Sequence, residues 1–287
     1  MKKFWSRLRA AILNALAHDV VNTAKAAAYS GMLTLFPALL VITTLVAQVQ
    51  EGSRLLGGLR AVFEQFLPPD TLDLLQSYVL SRPLRSTQLL LSAASLSLLA
   101  GLGVMLSLME GFRRAYHQPA DAWGFWDRRL RALLLVPMAL APLSAATLVI
   151  IFGRQIEAWM IQNAGHDFRF MVLLFWRVAR WSIAAATSVV FLSSLYHFGT
   201  RRKEHWLWVA PGALAGTIIW FPSTLAYGWY VTRISNYSRF YGSFGAGIAT
   251  LVWLYLTAFS VLLGAELNGL LYKERRDRER PARNRPD

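Results

Sequence analysis

Cysteine is absent from the 287 residues, so neither a disulfide framework nor a thiolate metal site can form. Charge is scarce: Asp, Glu, Lys and Arg make up 16% of the chain, against about 25% in an ordinary soluble domain. A chain this poor in charge cannot face water on every side. Acids are scarcer than bases, sixteen against thirty. The five histidines, His18, His117, His166, His197 and His205, are scattered, and no HxH or DxD pair occurs. Metal-assisted phosphodiester hydrolysis needs converging ligands, so no enzyme, metal site or cofactor is expected. The phosphate-cradling G-x-x-x-x-G-K-[ST] run is also missing, so any energy for work must come from an ion gradient or a partner.

What the chain has instead is apolar surface. Hydrophobic residues make up 55% and the mean hydropathy is +0.37. Six apolar runs stand out: Lys25 to Val49, Gln88 to Glu110, Leu130 to Phe152, Phe170 to Phe198, Trp206 to Thr232, and Ser243 to Tyr272. Each has about 20 or more residues, enough to cross a hydrocarbon core of about 30 Å at roughly 1.5 Å per helical residue. Eleven Trp, ten Tyr and sixteen Phe suit the interfaces on either side.

The net charge of +14 raises nucleic acid as a partner, and the placement of that charge argues against it. Nineteen Lys and Arg lie in the N-terminal segment, the second and fourth connections and the tail; eight lie in the alternate connections. The positive-inside rule therefore puts both termini in the cytoplasm, as an even number of spans also requires. The expected fold is all-α, a polytopic bundle of six transmembrane helices with short interfacial amphipathic helices.

Residues 1–24 read as a cytoplasmic amphipathic helix. Phe4, Trp5, Leu8, Ile12 and Leu16 recur at helical spacing opposite Lys2, Lys3, Arg7 and Arg9, the pattern of a helix lying on an anionic leaflet. Ala15-Leu16-Ala17 matches a small-x-small cleavage pattern, but the apolar stretch before it is short and interrupted by Asn14, which argues against a signal peptide. Residues 25–272 form the membrane domain. Its connection after the first span carries an apolar stripe from Leu55 to Leu67, stopped by Pro68-Pro69-Asp70, then a second amphipathic stretch from Thr71 to Leu80. Residues 273–287 are highly charged, contain Pro281 and Pro286, and read as a basic disordered tail.

Proline falls inside the spans at Pro37, Pro137, Pro142, Pro211 and Pro222. Each removes a backbone donor and can kink its helix. Broken helices line some transport sites, although proline is common in membrane helices generally. Gly212 and Gly216 have GxxxG spacing, which permits close helix approach and self-association into a homo-oligomer.

By the last two spans the chain resembles a known family. LYHFGTRRKEHWLWVAPGALAGTIIW and NYSRFYGSFGAGIATLVWLYLTAFSVLLGAELN, with AAAYSGMLTLFPALLVI in the first span and EGFRRAYHQP followed by WDRRLRALLLVP in the centre, resemble the YihY/BrkB (UPF0761) family of bacterial inner-membrane proteins. The similarity runs from about Ala26 to about Leu271. It implies a six-helix inner-membrane protein, with an association to the cell envelope and a suspicion of lipid transport. An older ribonuclease BN label on the family is regarded as a misassignment.

Ionisable residues in the spans are candidate substrate or gating groups, because burying one in a membrane costs at least about 2.5 kcal/mol. Arg177 and Arg180, beside Trp176 and Trp181, belong at the outer end of the fourth span. Snorkelling to the headgroups and gripping an anionic headgroup both fit. Lys25, Glu110, Arg113, Arg114 and Glu266 belong at the inner level, where they make either an ion-pair cluster that fixes packing or a gate or headgroup site. Tyr29 and Asn268 are available to add hydrogen bonds there. The resulting expectation is a transporter or flippase-like handler of an anionic amphipathic substrate such as an envelope lipid. The alternative is a structural or regulatory envelope protein. Expected partners are membrane lipids, anionic at the cytoplasmic face.

Overall fold

Apolar runs without water to satisfy their backbone must close hydrogen bonds within the segment, and a helix does this. A computed structural model describes residues 2–47, 87–121, 123–138, 169–201, 205–233 and 244–283; all regular structure among them is α-helix. In chain order the helices are α1 Lys2–Ala17, α2 Val20–Ala47, α3 Thr87–Ala115, α4 over residues 125–138, α5 Arg169–Gly199, α6 Trp206–Arg233 and α7 Phe244–Arg283. Five of them, α2, α3, α5, α6 and α7, are long and apolar enough to cross a membrane. The expected third span starts as α4, and its remainder lies outside the described residues. So do Pro142 and the connection expected to carry two short helices.

Two boundaries differ from expectation. The second helix begins at Val20 rather than Lys25, because Asp19 caps it: the Asp19 carbonyl accepts from the Thr23 amide (3.1 Å) and hydroxyl (3.0 Å), and its carboxylate accepts from the Asn22 amide group (2.7 Å). The tail expected to be disordered continues α7 as helix to Arg283. Its Lys, Glu and Arg are good helix formers. Its first turn is also held laterally, by an Arg7 to Glu274 ion pair (2.6 Å) and by Arg275 stacked 3.7 Å over the Trp208 ring.

Helix α7 is the hub, packing against α6, α2, α1 and α3, while α2 pairs with α3 and α5 with α6. Small residues make these approaches. The backbones of Gly212 on α6 and Gly264 on α7 touch, so that a Cβ on either would run into the carbonyl of the other. Gly269 lies against the Ala115 backbone, and Gly111 lies under Leu262. The tightest core fills the same end of the bundle: Phe112, Tyr196, Met109, Val209 and Leu262 are all buried. The Tyr196 hydroxyl donates to the Val261 carbonyl (2.7 Å) and its ring meets Phe112 edge-on at 5.3 Å.

Helix α1 crosses this end. Ala11 and Ala15 face inward and are buried, whereas Ile12, Leu13 and Leu16 are exposed. Small side chains therefore set the contact with the bundle, and these large apolar ones stay on the outer face.

Candidate functional site

Two turns meet beneath α1. Residues Asp19 and His117 both have left-handed backbones, with φ of 59° and 49°. His117 ends α3 in a Schellman motif: its amide donates to the Arg114 carbonyl (3.0 Å), and the Gln118 amide donates to the Arg113 carbonyl (2.9 Å). The reversal sets the His117 ring edge-on to His18, 5.1 Å away. Arg114 fastens the two turns together, donating to the His18 carbonyl (3.2 Å) and lying 3.7 Å from the Asp19 carboxylate.

Around this junction the polar side chains form three groups. Glu110 is the centre of the first. It accepts from Arg113 (2.6 Å) and Arg114 (3.2 Å) on its own helix and from Arg128 on α4 (3.1 Å). Arg113 also donates to the Gln118 carbonyl (2.9 Å) and Arg128 to the Leu106 carbonyl (3.2 Å). One carboxylate thus gathers three guanidinium groups; with the Asp19 carboxylate beside Arg114 counted, one positive charge is in surplus.

Glu266 is the centre of the second. Its carboxylate is 1% exposed, and both oxygens lie within hydrogen-bonding distance of His18 Nδ1, at 2.9 and 3.0 Å. The third group is built on Asn268, also 1% exposed. Its Oδ1 accepts from the Gly212 amide and its Nδ2 donates to the Val209 carbonyl, both at 2.8 Å. These bonds straddle Pro211, whose ring has no N–H to give.

The expected inner cluster is therefore split. Glu110, Arg113 and Arg114 come together, and Glu266 stands with His18 instead. Lys25 is exposed and donates to Asn22 (3.3 Å); it sits at the right level but on an outward face. Tyr29 is likewise exposed. The backbone of α5 carries Arg177 and Arg180 roughly 30 Å along the axis from Gly199 at the polar end, and their side chains lie outside the described residues. Helices α2 and α6 run unbroken through Pro37, Pro211 and Pro222, and Pro137 lies in the last turn described for α4. His18, Asp19, His117 and Arg128 are the additions that sequence reasoning missed. Only Arg128 had a signal, in the basic WDRRLR run.

His117 lies outside the spans. Burial, then the charges of His18 and Lys273, hold its imidazole below the usual histidine range. Among the described residues no three His, Asp or Glu side chains gather as metal ligands would.

A bundle of long apolar helices with its buried ionisable groups collected at one end defines a polytopic α-helical membrane protein. The family model described as Virulence factor BrkB matches residues 11–287, and the chain belongs to that family. It is 28% identical over 261 residues to the putative ribonuclease-like protein YfkH of Bacillus subtilis, covering 90% of this chain and 92% of the relative. A UPF0761 membrane protein of Aromatoleum aromaticum is 26% identical over 265 residues, 89% of this chain; the match spans only 61% of that longer protein. A UPF0761 membrane protein of Vibrio cholerae is 34% identical over 77 residues, about a quarter of each chain. No solved structure matches.

Proposed function

We propose that this protein is a transporter or flippase-like handler of an anionic amphipathic substrate, such as an envelope lipid, in the bacterial inner membrane. In this reading six helices span the bilayer and both termini are cytoplasmic. The observation that carries it is the Glu110 group, in which Arg113, Arg114 and Arg128 share one carboxylate. Cations in surplus at a membrane-level helix end attract phosphate or carboxylate headgroups. Prolines within α2 and α6 suit helices that line a path. The ribonuclease-like name belongs to YfkH. Hydrolysis of a phosphodiester by metal ions calls for converging ligands, so we assign no enzymatic activity to this chain and no nucleic-acid partner.

The test is reconstitution of the pure protein into liposomes, with fluorescent phospholipid and anionic-solute assays. Movement of either substrate class, lost in Arg128→Gln at unchanged protein level, is the expected result. A second reading, a structural or regulatory envelope protein, draws on the internal pairing of Glu110 and Glu266. It gains if neither substrate moves, or if function falls only as far as protein level falls.

A further inference from the structure

Two grooves flank the Arg7 to Glu274 bridge, each of about 360 Å³. Their charges differ. On the side away from α6, Arg7 and Lys273 are balanced by Glu274 and Asp277. On the α6 side, Arg7, Arg275 and Arg278 face the single carboxylate of Glu274, so two positive charges are in surplus.

The second groove also has an apolar floor, made by Leu207, Trp208 and Pro211 of α6 and Leu271 of α7. Two of its cations are already fixed. Arg275 stacks on Trp208 and donates to the Leu271 carbonyl (3.2 Å), and Arg7 is held by Glu274. Arg278 lies one turn beyond Arg275 on the same face, is exposed, and makes no ion pair among the described residues. The Arg275 guanidinium, held this way, needs little ordering to meet a phosphate.

The floor does not stop at the groove. Leu207, Pro211, Leu214 and Ile218 are all exposed, and their spacing sets them on one face of α6. A lane of apolar surface thus leaves the arginines and runs along a membrane-spanning helix. Its chemistry is that of an amphiphile: a phosphate at one end and a hydrocarbon chain at the other.

We infer that the groove between α1, α6 and the C-terminal part of α7 binds one anionic phospholipid, with its phosphodiester on Arg275 and Arg278 and an acyl chain along Leu207, Leu214 and Ile218. The inference concerns binding alone and holds whether or not the chain moves lipid. Failure of the liposome assay leaves it standing.

The experiment uses the full chain in nanodiscs of phosphatidylcholine and phosphatidylglycerol in equal parts, released into the gas phase for native mass spectrometry of retained lipid. The wild type is expected to retain one phosphatidylglycerol in preference to phosphatidylcholine. Arg275→Ala with Arg278→Ala is expected to reduce that retention by at least about tenfold, the loss of two charge-assisted contacts. Arg276→Ala removes the same charge from an exposed position outside the groove and should leave retention unchanged. If the double variant does not fold, Arg278→Gln alone gives the same reading, because Arg278 makes no described internal contact. Equal loss in the Arg276 control, retention of either lipid without preference, or displacement of phosphatidylglycerol by millimolar inorganic phosphate each overturns the inference. The last would mark a site for a free anion.

Discussion

His18 Nδ1 sits 2.9 and 3.0 Å from the two carboxylate oxygens of Glu266, across 248 residues of chain. The pair ties the turn after α1 to the middle of the longest helix, at a point where the acid is almost wholly removed from solvent. Removing one partner of a buried hydrogen-bonded pair leaves the other unsatisfied, at about 1–3 kcal/mol. His18→Ala is therefore expected to lower the thermal midpoint in detergent markedly. Glu266→Gln, which keeps a hydrogen-bonding group, should cost less, and adding it to His18→Ala should restore part of the loss. Strictly additive effects in that double-mutant cycle would show that the two residues are not coupled.

The second histidine of the junction sets a pH dependence. The lowered pKa of His117 comes from burial first and from the charges of His18 and Lys273 after it. The folded chain therefore favours the neutral imidazole. Its contribution to stability is fully present above the unfolded value of about 6.5 and is lost as pH falls from there through the lower folded value. A melting series across that window should show the fall. His117→Asn should flatten it without disturbing the turn, since Asn tolerates the left-handed backbone at φ 49°. An unchanged pH profile in the variant would assign the effect elsewhere.

Glycine offers a paired test on the two halves of α6 and α7. A Cβ at Gly264 would meet the Gly212 carbonyl and the Tyr196 hydroxyl, whereas a Cβ at Gly228 meets nothing within 4 Å. Gly264→Ala must push two backbones apart, so a loss of more than about 1 kcal/mol is expected, as for overpacking elsewhere. Gly228→Ala in the same helical context should stabilise by up to about 1 kcal/mol, since Gly is the poorer helix former. Thermal midpoints that move in the same direction for both would contradict the close contact.

How far the sequence reveals this architecture depends on the range of the interaction. The apolar spans are legible because crossing a bilayer fixes length and hydropathy locally. Glu110 with Arg113 and Arg114 is legible too, because partners three and four residues apart on a helix are neighbours. The level of a residue along its helix follows from its place in the span, which puts Lys25 and Glu266 at the same level. Its azimuth does not follow, and Lys25 turned out to face outward while His18 took the position. The tail misled for another reason: composition alone cannot show that Glu274 and Arg275 find partners on α1 and α6, and those contacts anchor the helix to Arg283.

Asn268, in the LLGAELN segment, clamps α7 to α6. Its amide occupies one donor and one acceptor of the α6 backbone on either side of Pro211, and no water-exposed route compensates their loss, since Asn268 is 1% exposed. Asn268→Leu preserves bulk but removes both of these bonds between α7 and α6, at about 0.5–1.5 kcal/mol for each. Asn268→Asp keeps the acceptor for Gly212 and loses the donor to Val209, while burying a charge where the wild type has a neutral amide. Both variants should melt earlier than wild type, and Asp should recover towards Leu or above it as pH is lowered and its carboxyl takes up a proton. Hydrogen exchange at the Gly212 amide gives the local measurement. Faster exchange in Asn268→Leu is expected, and wild-type protection there would show that α6 holds its first turns without the clamp.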